Sequence, residues 1–165
     1  MMRWMALAAA ASASVPGAGR SAGAAQRWYD NPSYVKGLTR GWKGLVDPLG
    51  RCRFTVPSAW RIEDGELLAT APDGSATVAE EWTASPTWMH YKAGVAASLK
   101  PTVLHEDSAR RLWFEYDAGW AGAHHYVAIP AANGACVLRI DVRPPASDAV
   151  AETVRQIAVS LLALR

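Results

Sequence analysis

Histidines, cysteines and the carboxylates beside them are the side chains of this 165-residue chain best suited to metal or redox chemistry. Two histidines are adjacent, His124-His125. In an extended strand neighbouring side chains point to opposite faces, so this pair cannot chelate one ion in regular β geometry. One of the two can join a carboxylate such as Glu115 or Asp117 on a paired strand. The blander arrangement is a surface histidine beside a partly buried one. His105-Glu106-Asp107 forms a second cluster at the end of a strand-like run. Its carboxylates would accept calcium or manganese, but no dense acidic loop accompanies them, and Asp73 and Asp107 stand isolated. The expectation is therefore no cofactor, with calcium or manganese as the outside option and the metal ligands unknown.

Cys52 and Cys136 each sit in a strand-like run. Cys52 shares its face with Phe54 and Val56, and Cys136 shares its face with Leu138, Ile140 and Val142. Both point at the core. An oxidising compartment would allow them to pair; two small buried thiols are the simpler expectation. Neither cysteine has a second Cys or His at ligand spacing, which argues against a cysteine-based zinc site. Enzyme motifs are missing as well. The serines, Ser147 and Ser160 among them, fall in caps, turns and helix faces, without a Gly-x-Ser-x-Gly elbow. No glycine-rich loop joins a strand to a helix in the manner of a phosphate cradle. The residues point to a protein that binds rather than catalyses.

Binding candidates lie among the aromatics. Of the eight tryptophans, Trp60, Trp88 and Trp113 suit core or near-core positions. Trp120 lies in the loop 118–123 with nothing local to bury it, so either an exposed contact or packing onto the sheet edge follows. Residues 25–43 carry Arg27, Lys36, Arg40 and Lys43 against Asp30 alone, interleaved with Trp28, Tyr29 and Tyr34. Such rings are enriched at interface hot spots. This arm either docks a partner or folds back onto the domain.

Charge narrows the partner class. Residues 1–24 contain Arg3 and Arg20 and no acid; removing them from the 17 basic residues leaves 15 against 15 acidic. The body has no global basic excess to hold a phosphate backbone, so nucleic acid is not an expected partner. The same segment reads as an export leader: a positive start at Arg3, an apolar run from Met5 to Val15, and a small-x-small site at Ala22-Gly23-Ala24. The run is too short to span a bilayer.

The elements that must position these residues are mostly strands. Alternation marks strands near 51–56, 66–70, 76–82, 102–106, 111–117, 124–129 and 136–142, with turn residues between them. Ser85-Pro86 suggests a helix start, and Trp88, Tyr91, Val95 and Leu99 recur along one face of a helix over 86–98. A second helix is expected over 148–163, with Val150, Val154, Ile157 and Leu161 as its stripe. The strands near 102–142 suit an antiparallel meander. With no βαβ rhythm, the fold class is α+β: an antiparallel sheet of about six to seven strands flanked by helices.

The run 44–60, Gly-Leu-Val-Asp-Pro-Leu-Gly-Arg-Cys-Arg-Phe-Thr-Val-Pro-Ser-Ala-Trp, resembles the opening of PsbP-domain proteins, in which an Asp-containing turn leads to a strand ending in a Pro-x-x-Trp type corner. The later order matches too: a helix, a meander, and a final helix ending in a Ser-Leu pair, here Ser160-Leu161. The resemblance covers about 42–164 and implies an α/β/α sandwich of PsbP/Mog1 type. It further implies a non-enzymatic extrinsic or assembly subunit on the lumenal side of a photosystem, photosystem II or photosystem I, peripheral to the membrane and located in the thylakoid lumen. The related Mog1 branch acts on a nuclear GTPase, which the export leader disfavours. An exported small-ligand-binding module on the same fold is the alternative. The expected organisation is a leader at 1–24, an arm at 25–41 and a PsbP-like domain at 42–165.

Overall fold

The computed structural model describes residues 40–63 and 67–164. The 1–24 leader and all of the arm before Arg40 lie outside the described residues. Ten strands and two helices follow: β1 (Trp42–Val46), β2 (Cys52–Pro57), β3 (Arg61–Ile62), β4 (Leu68–Thr70), β5 (Ala76–Ala84), α1 (Trp88–Leu99), β6 (Pro101–Asp107), β7 (Leu112–Tyr116), β8 (Ala123–Ala131), β9 (Gly134–Val142), α2 (Asp148–Ser160) and β10 (Leu162–Ala163). They form a seven-stranded sheet, β3-β4-β5-β9-β8-β7-β6, and a three-stranded sheet, β1-β2-β10, with every pairing antiparallel. The expected meander is β6-β7-β8-β9. This is the α+β architecture that the strand periodicity implied.

Both faces of the large sheet are covered. On one face Val78, Val127, Cys136, Leu138 and Ile140 pack with Phe54 and Val56 of the small sheet and with Val154, Ile157 and Leu161. On the other, the alternating residues Leu112, Phe114, Tyr126, Ala128 and Val137 pack with Tyr91, and Trp88, Val95 and Leu99 of α1 lie over them. The alternating pattern predicts a core of Phe54, Val56, Trp60, Leu138, Ile140, Ile157 and Leu161 with either Leu112 or Trp113; all of these are buried except Trp113, which is half-buried, so Leu112 is the core residue of that pair.

Local chemistry explains the opening motif. Asp47 is 3% exposed. One carboxylate oxygen accepts from the backbone N–H groups of Arg51 and Cys52, and the other takes the Arg51 guanidinium at 2.9 Å. The turn Asp47-Pro48-Leu49-Gly50 is thus closed by its own first residue, with Gly50 at φ +67° where a side chain would be strained. The Ser160-Leu161 pair has a similar reason. β10 meets β2 only at Arg53 and Cys52, and the Thr55 N–H beyond it donates to Ser160 Oγ at 2.9 Å.

Three expectations are corrected. Cys52 and Cys136 are joined in a disulfide, with Cα atoms 5.7 Å apart, rather than held as free thiols. The two lie on strands of different sheets that face one core layer, and that juxtaposition is set by the sheet-on-sheet packing. Helix α1 is capped by Thr87, whose Oγ1 accepts from His90 N at 3.1 Å, and not by Ser85; Ser85 Oγ instead donates to Thr87 O. Helix α2 ends at Ser160 rather than running to 163, because Leu162 and Ala163 pair with β2.

The disulfide closes a separation of 84 residues, for which loop entropy alone predicts about 4.5 kcal/mol. Replacing both cysteines by alanine is expected to cost about 2–5 kcal/mol in denaturant unfolding, and reductant should destabilise the wild type but not the variant. Ile140→Ala should cost about 2–5 kcal/mol by the same measurement, since Ile140 is fully buried.

Candidate functional site

Two side-chain clusters flank the β7–β8 ladder, one on each face. The register sets His125 opposite Glu115 and Ile140, and His124 opposite Tyr116 and Asp141. The adjacent histidines therefore separate to opposite faces, as strand geometry requires. Neither is a surface residue: His124 is 2% exposed and the His125 side chain 11%.

On the α1 face, His124 Nδ1 lies 2.8 Å from Asp141 Oδ1 and Nε2 lies 3.2 Å from the Trp120 carbonyl. The Trp120 ring stands edge-on to the imidazole, centroids 4.0 Å apart, while half of its surface remains exposed. The ring thus packs onto the sheet edge, the second of the two arrangements expected for it, with one half left open to solvent. The loop is tight: a Cβ on Gly122 would stand 2.5 Å from the Val142 carbonyl oxygen.

On the opposite face lie His105, Glu115 and His125, with ligand-capable atoms all within 4.8 Å of one another. His105 Nε2 is 2.8 Å from Glu115 Oε1, and His125 Nδ1 is 3.9 Å from the same oxygen. Trp113 walls the cluster; its ring lies 4.6 Å from His105, and its Nε1 donates to His125 Nδ1 at 3.4 Å. Burial lowers the His125 pKa from its ordinary value, against the opposing pull of Glu115. Of the His105-Glu106-Asp107 run only His105 reaches this cluster. Glu106 accepts from Ser108 Oγ and Arg111, and Asp107 pairs with Lys92 of α1. Asp117 turns away to cap Gly119 N. No sequence spacing linked His105 to His125, because their meeting depends on strand order and on a bulge in β6.

Of the arm residues, Arg27, Trp28, Tyr29, Tyr34 and Lys36 lie outside the described residues. Arg40 is exposed. Lys43 belongs to β1, where its Nζ donates to the Trp60 carbonyl at 2.6 Å and burial lowers its pKa. A cavity of about 260 Å³ opens between the sheet and α2, lined by Trp60, Ala71, Pro72, Asp73, Ser75, Val150 and Thr153. It is smaller than the usual pocket for a drug-sized ligand. Among the described residues Glu80 is the most displaced carboxyl: burial, with Asp47 nearby, raises its pKa to about 8. It sits in the sheet-to-sheet layer rather than in a cleft, and its Oε1 has no hydrogen-bond partner.

No family description matches the chain in sequence, and no curated protein matches it either. In structure it is similar to cyanobacterial PsbP (CyanoP) from Synechocystis, solved in solution: TM-score 0.52 and 9% identity, over 78% of this chain and 96% of that one. The chain therefore has a PsbP-like fold. No helix among the described residues is long and apolar enough to cross a membrane.

Glu80 generates a pH prediction. Its pKa is raised to about 8 in the fold from an ordinary 4.5. Between those values the unfolded chain ionises while the folded one stays protonated, so the folded state binds more protons and stability falls as pH rises. Glu80→Gln removes the ionisation. The Tm advantage of the variant should grow from near zero at about pH 4.5 to a plateau above about pH 8; parallel curves would show that Glu80 does not titrate in this window.

Proposed function

We propose that this protein is an exported, non-enzymatic extrinsic or assembly subunit of PsbP type that docks peripherally on the lumenal side of a photosystem membrane complex, photosystem II or photosystem I. The observation that carries the reading is the PsbP-like fold itself, aligned over nearly the whole length of cyanobacterial PsbP. Two features support export. The leader pattern at 1–24 is of the secretory kind, and the Cys52–Cys136 disulfide belongs to the chemistry of oxidising compartments. The docking surface assigned by this reading is the basic, aromatic arm: Arg27, Trp28, Tyr29, Tyr34, Lys36 and Arg40, with Lys43 at its root and half-exposed Trp120 as a second contact. The alternative, an exported small-ligand-binding module, finds little support in the small cavity beside α2.

Docking through arm cations makes association weaken with salt. The test is co-purification of tagged protein with source membranes, with and without a salt wash, for the full chain and for a variant lacking 25–39. Gly41 is retained because its carbonyl accepts from Ser58 N at 2.7 Å. The truncated protein should keep its Tm and lose the membrane complex. Full-occupancy co-purification of the truncated protein would overturn the arm's role. Absence of the intact protein from every photosystem fraction would overturn the photosystem reading.

A further inference from the structure

Three strands contribute to the cluster beside Trp113, and their geometry needs explaining. In β6, Val103 and Leu104 pair with Glu115 and Phe114, whereas Glu106 and Asp107 pair with Trp113 and Leu112; the register shifts by one between Leu104 and Glu106. His105 is the inserted residue. Bulges of this kind re-aim a side chain and recur beside functional sites. Here the bulge brings the His105 ring to 5.7 Å from the His125 ring, with Glu115 between the two strands. The result is two imidazoles and one carboxylate converging from β6, β7 and β8.

We propose that His105, Glu115 and His125 form a binding site for a borderline divalent metal ion of the zinc class, with its remaining position open to water. Two nitrogens and one carboxylate oxygen are the three-ligand set of open zinc sites. Imidazole donors favour zinc, copper, nickel or cobalt over the calcium or manganese suited to carboxylates alone. Ligand atoms around a tetrahedral zinc ion stand about 3.4 Å apart. The observed separations of 2.8 and 3.9 Å, and the 4.8 Å limit, bracket that value. The required adjustment falls on His105, whose side chain is 32% exposed and can rotate. His125, by contrast, is held in the sheet opposite Ile140; its Nδ1 accepts from the Trp113 indole at a long 3.4 Å, and an ion bound through Nδ1 replaces that hydrogen bond. One rigid ligand, one half-buried carboxylate and one adjustable ligand at the rim leave the fourth position facing solvent. Both cysteines are consumed in the disulfide, so no thiolate competes for the ion. The other two histidines, His90 on the outer side of α1 and His124 on the opposite sheet face, are internal controls.

The test is titration of the oxidised full-length protein with Co²⁺, read by its visible ligand-field bands, and with Zn²⁺ in competition with a chromophoric chelator. The expected result is about one ion bound per chain, with affinity falling at least tenfold in His125→Ala and in Glu115→Gln and unchanged in His90→Ala. His105→Ala, a substitution at an exposed position, should weaken binding likewise while the Tm of the metal-free protein stays near wild type. Zinc should raise the Tm of the wild type and not of the His105→Ala variant. No zinc bound at micromolar concentrations, or binding that survives intact in His105→Ala and Glu115→Gln, would overturn the site and leave the cluster as a cross-strand ion pair.

Discussion

The structure depends on one strand that is apolar on both sides. In β9 the residues from Gly134 to Leu138 are all buried, and Ile140 and Val142 continue the pattern. A strand of this kind cannot face water on either side, so the sheet it centres must be covered twice. Helix α1 supplies one cover through Tyr91, and the small sheet with α2 supplies the other. Strand β5 crowds so closely on β9 that a Cβ at Gly134 would stand 2.3 Å from the Thr83 carbonyl oxygen.

The second cover is a separate sheet, and its attachment uses more than apolar contact. The Cys52–Cys136 disulfide ties β2 to β9 across the core layer. Asp47 closes the preceding turn from the inside, and Ser160 satisfies a β2 amide that β10 does not reach. Each polar group buried at this junction has a specific task, which is what the cost of burying it requires. Glu80 Oε1 and Trp82 Nε1 are exceptions, buried without a hydrogen-bond partner. Glu80 is the ionisable one of the two. It stays in the layer as an acid, because burial makes its ionised form unfavourable.

Towards β6 the covering layer ends. Arg111 spans the gap by donating to the Val159 carbonyl near the end of α2, and beyond it the sheet face carries Trp113, His105, Glu115 and His125 instead of aliphatic side chains. Val103 and Leu104 are exposed on the same edge strand. The transition from packed core to polar cluster follows the boundary of the cover: His125 abuts core residues on one side and a carboxylate on the other.

Much of this architecture was legible in the linear chain. Alternation at Cys52, Phe54 and Val56 and at Cys136, Leu138 and Ile140 placed two strands and their inward faces, because period-two patterning is a local property. The stripe Trp88, Tyr91, Val95 placed α1, and the motif through Asp47 and Trp60 pointed to the PsbP-like fold. His124 and His125 could be sent to opposite faces from strand geometry alone. The pairing of Cys52 with Cys136 was not legible, since inward orientation does not specify which sheet lies across the layer. The early end of α2 was equally hidden: Leu162 and Ala163 continue a helical apolar pattern, and only the open edge of β2 draws them into a strand. The meeting of His105 with His125 required the β6-β7-β8 order and a one-residue bulge. Local sequence determined element type and facing; long-range contacts decided partners, because they depend on residues far apart in the chain whose proximity no local pattern encodes.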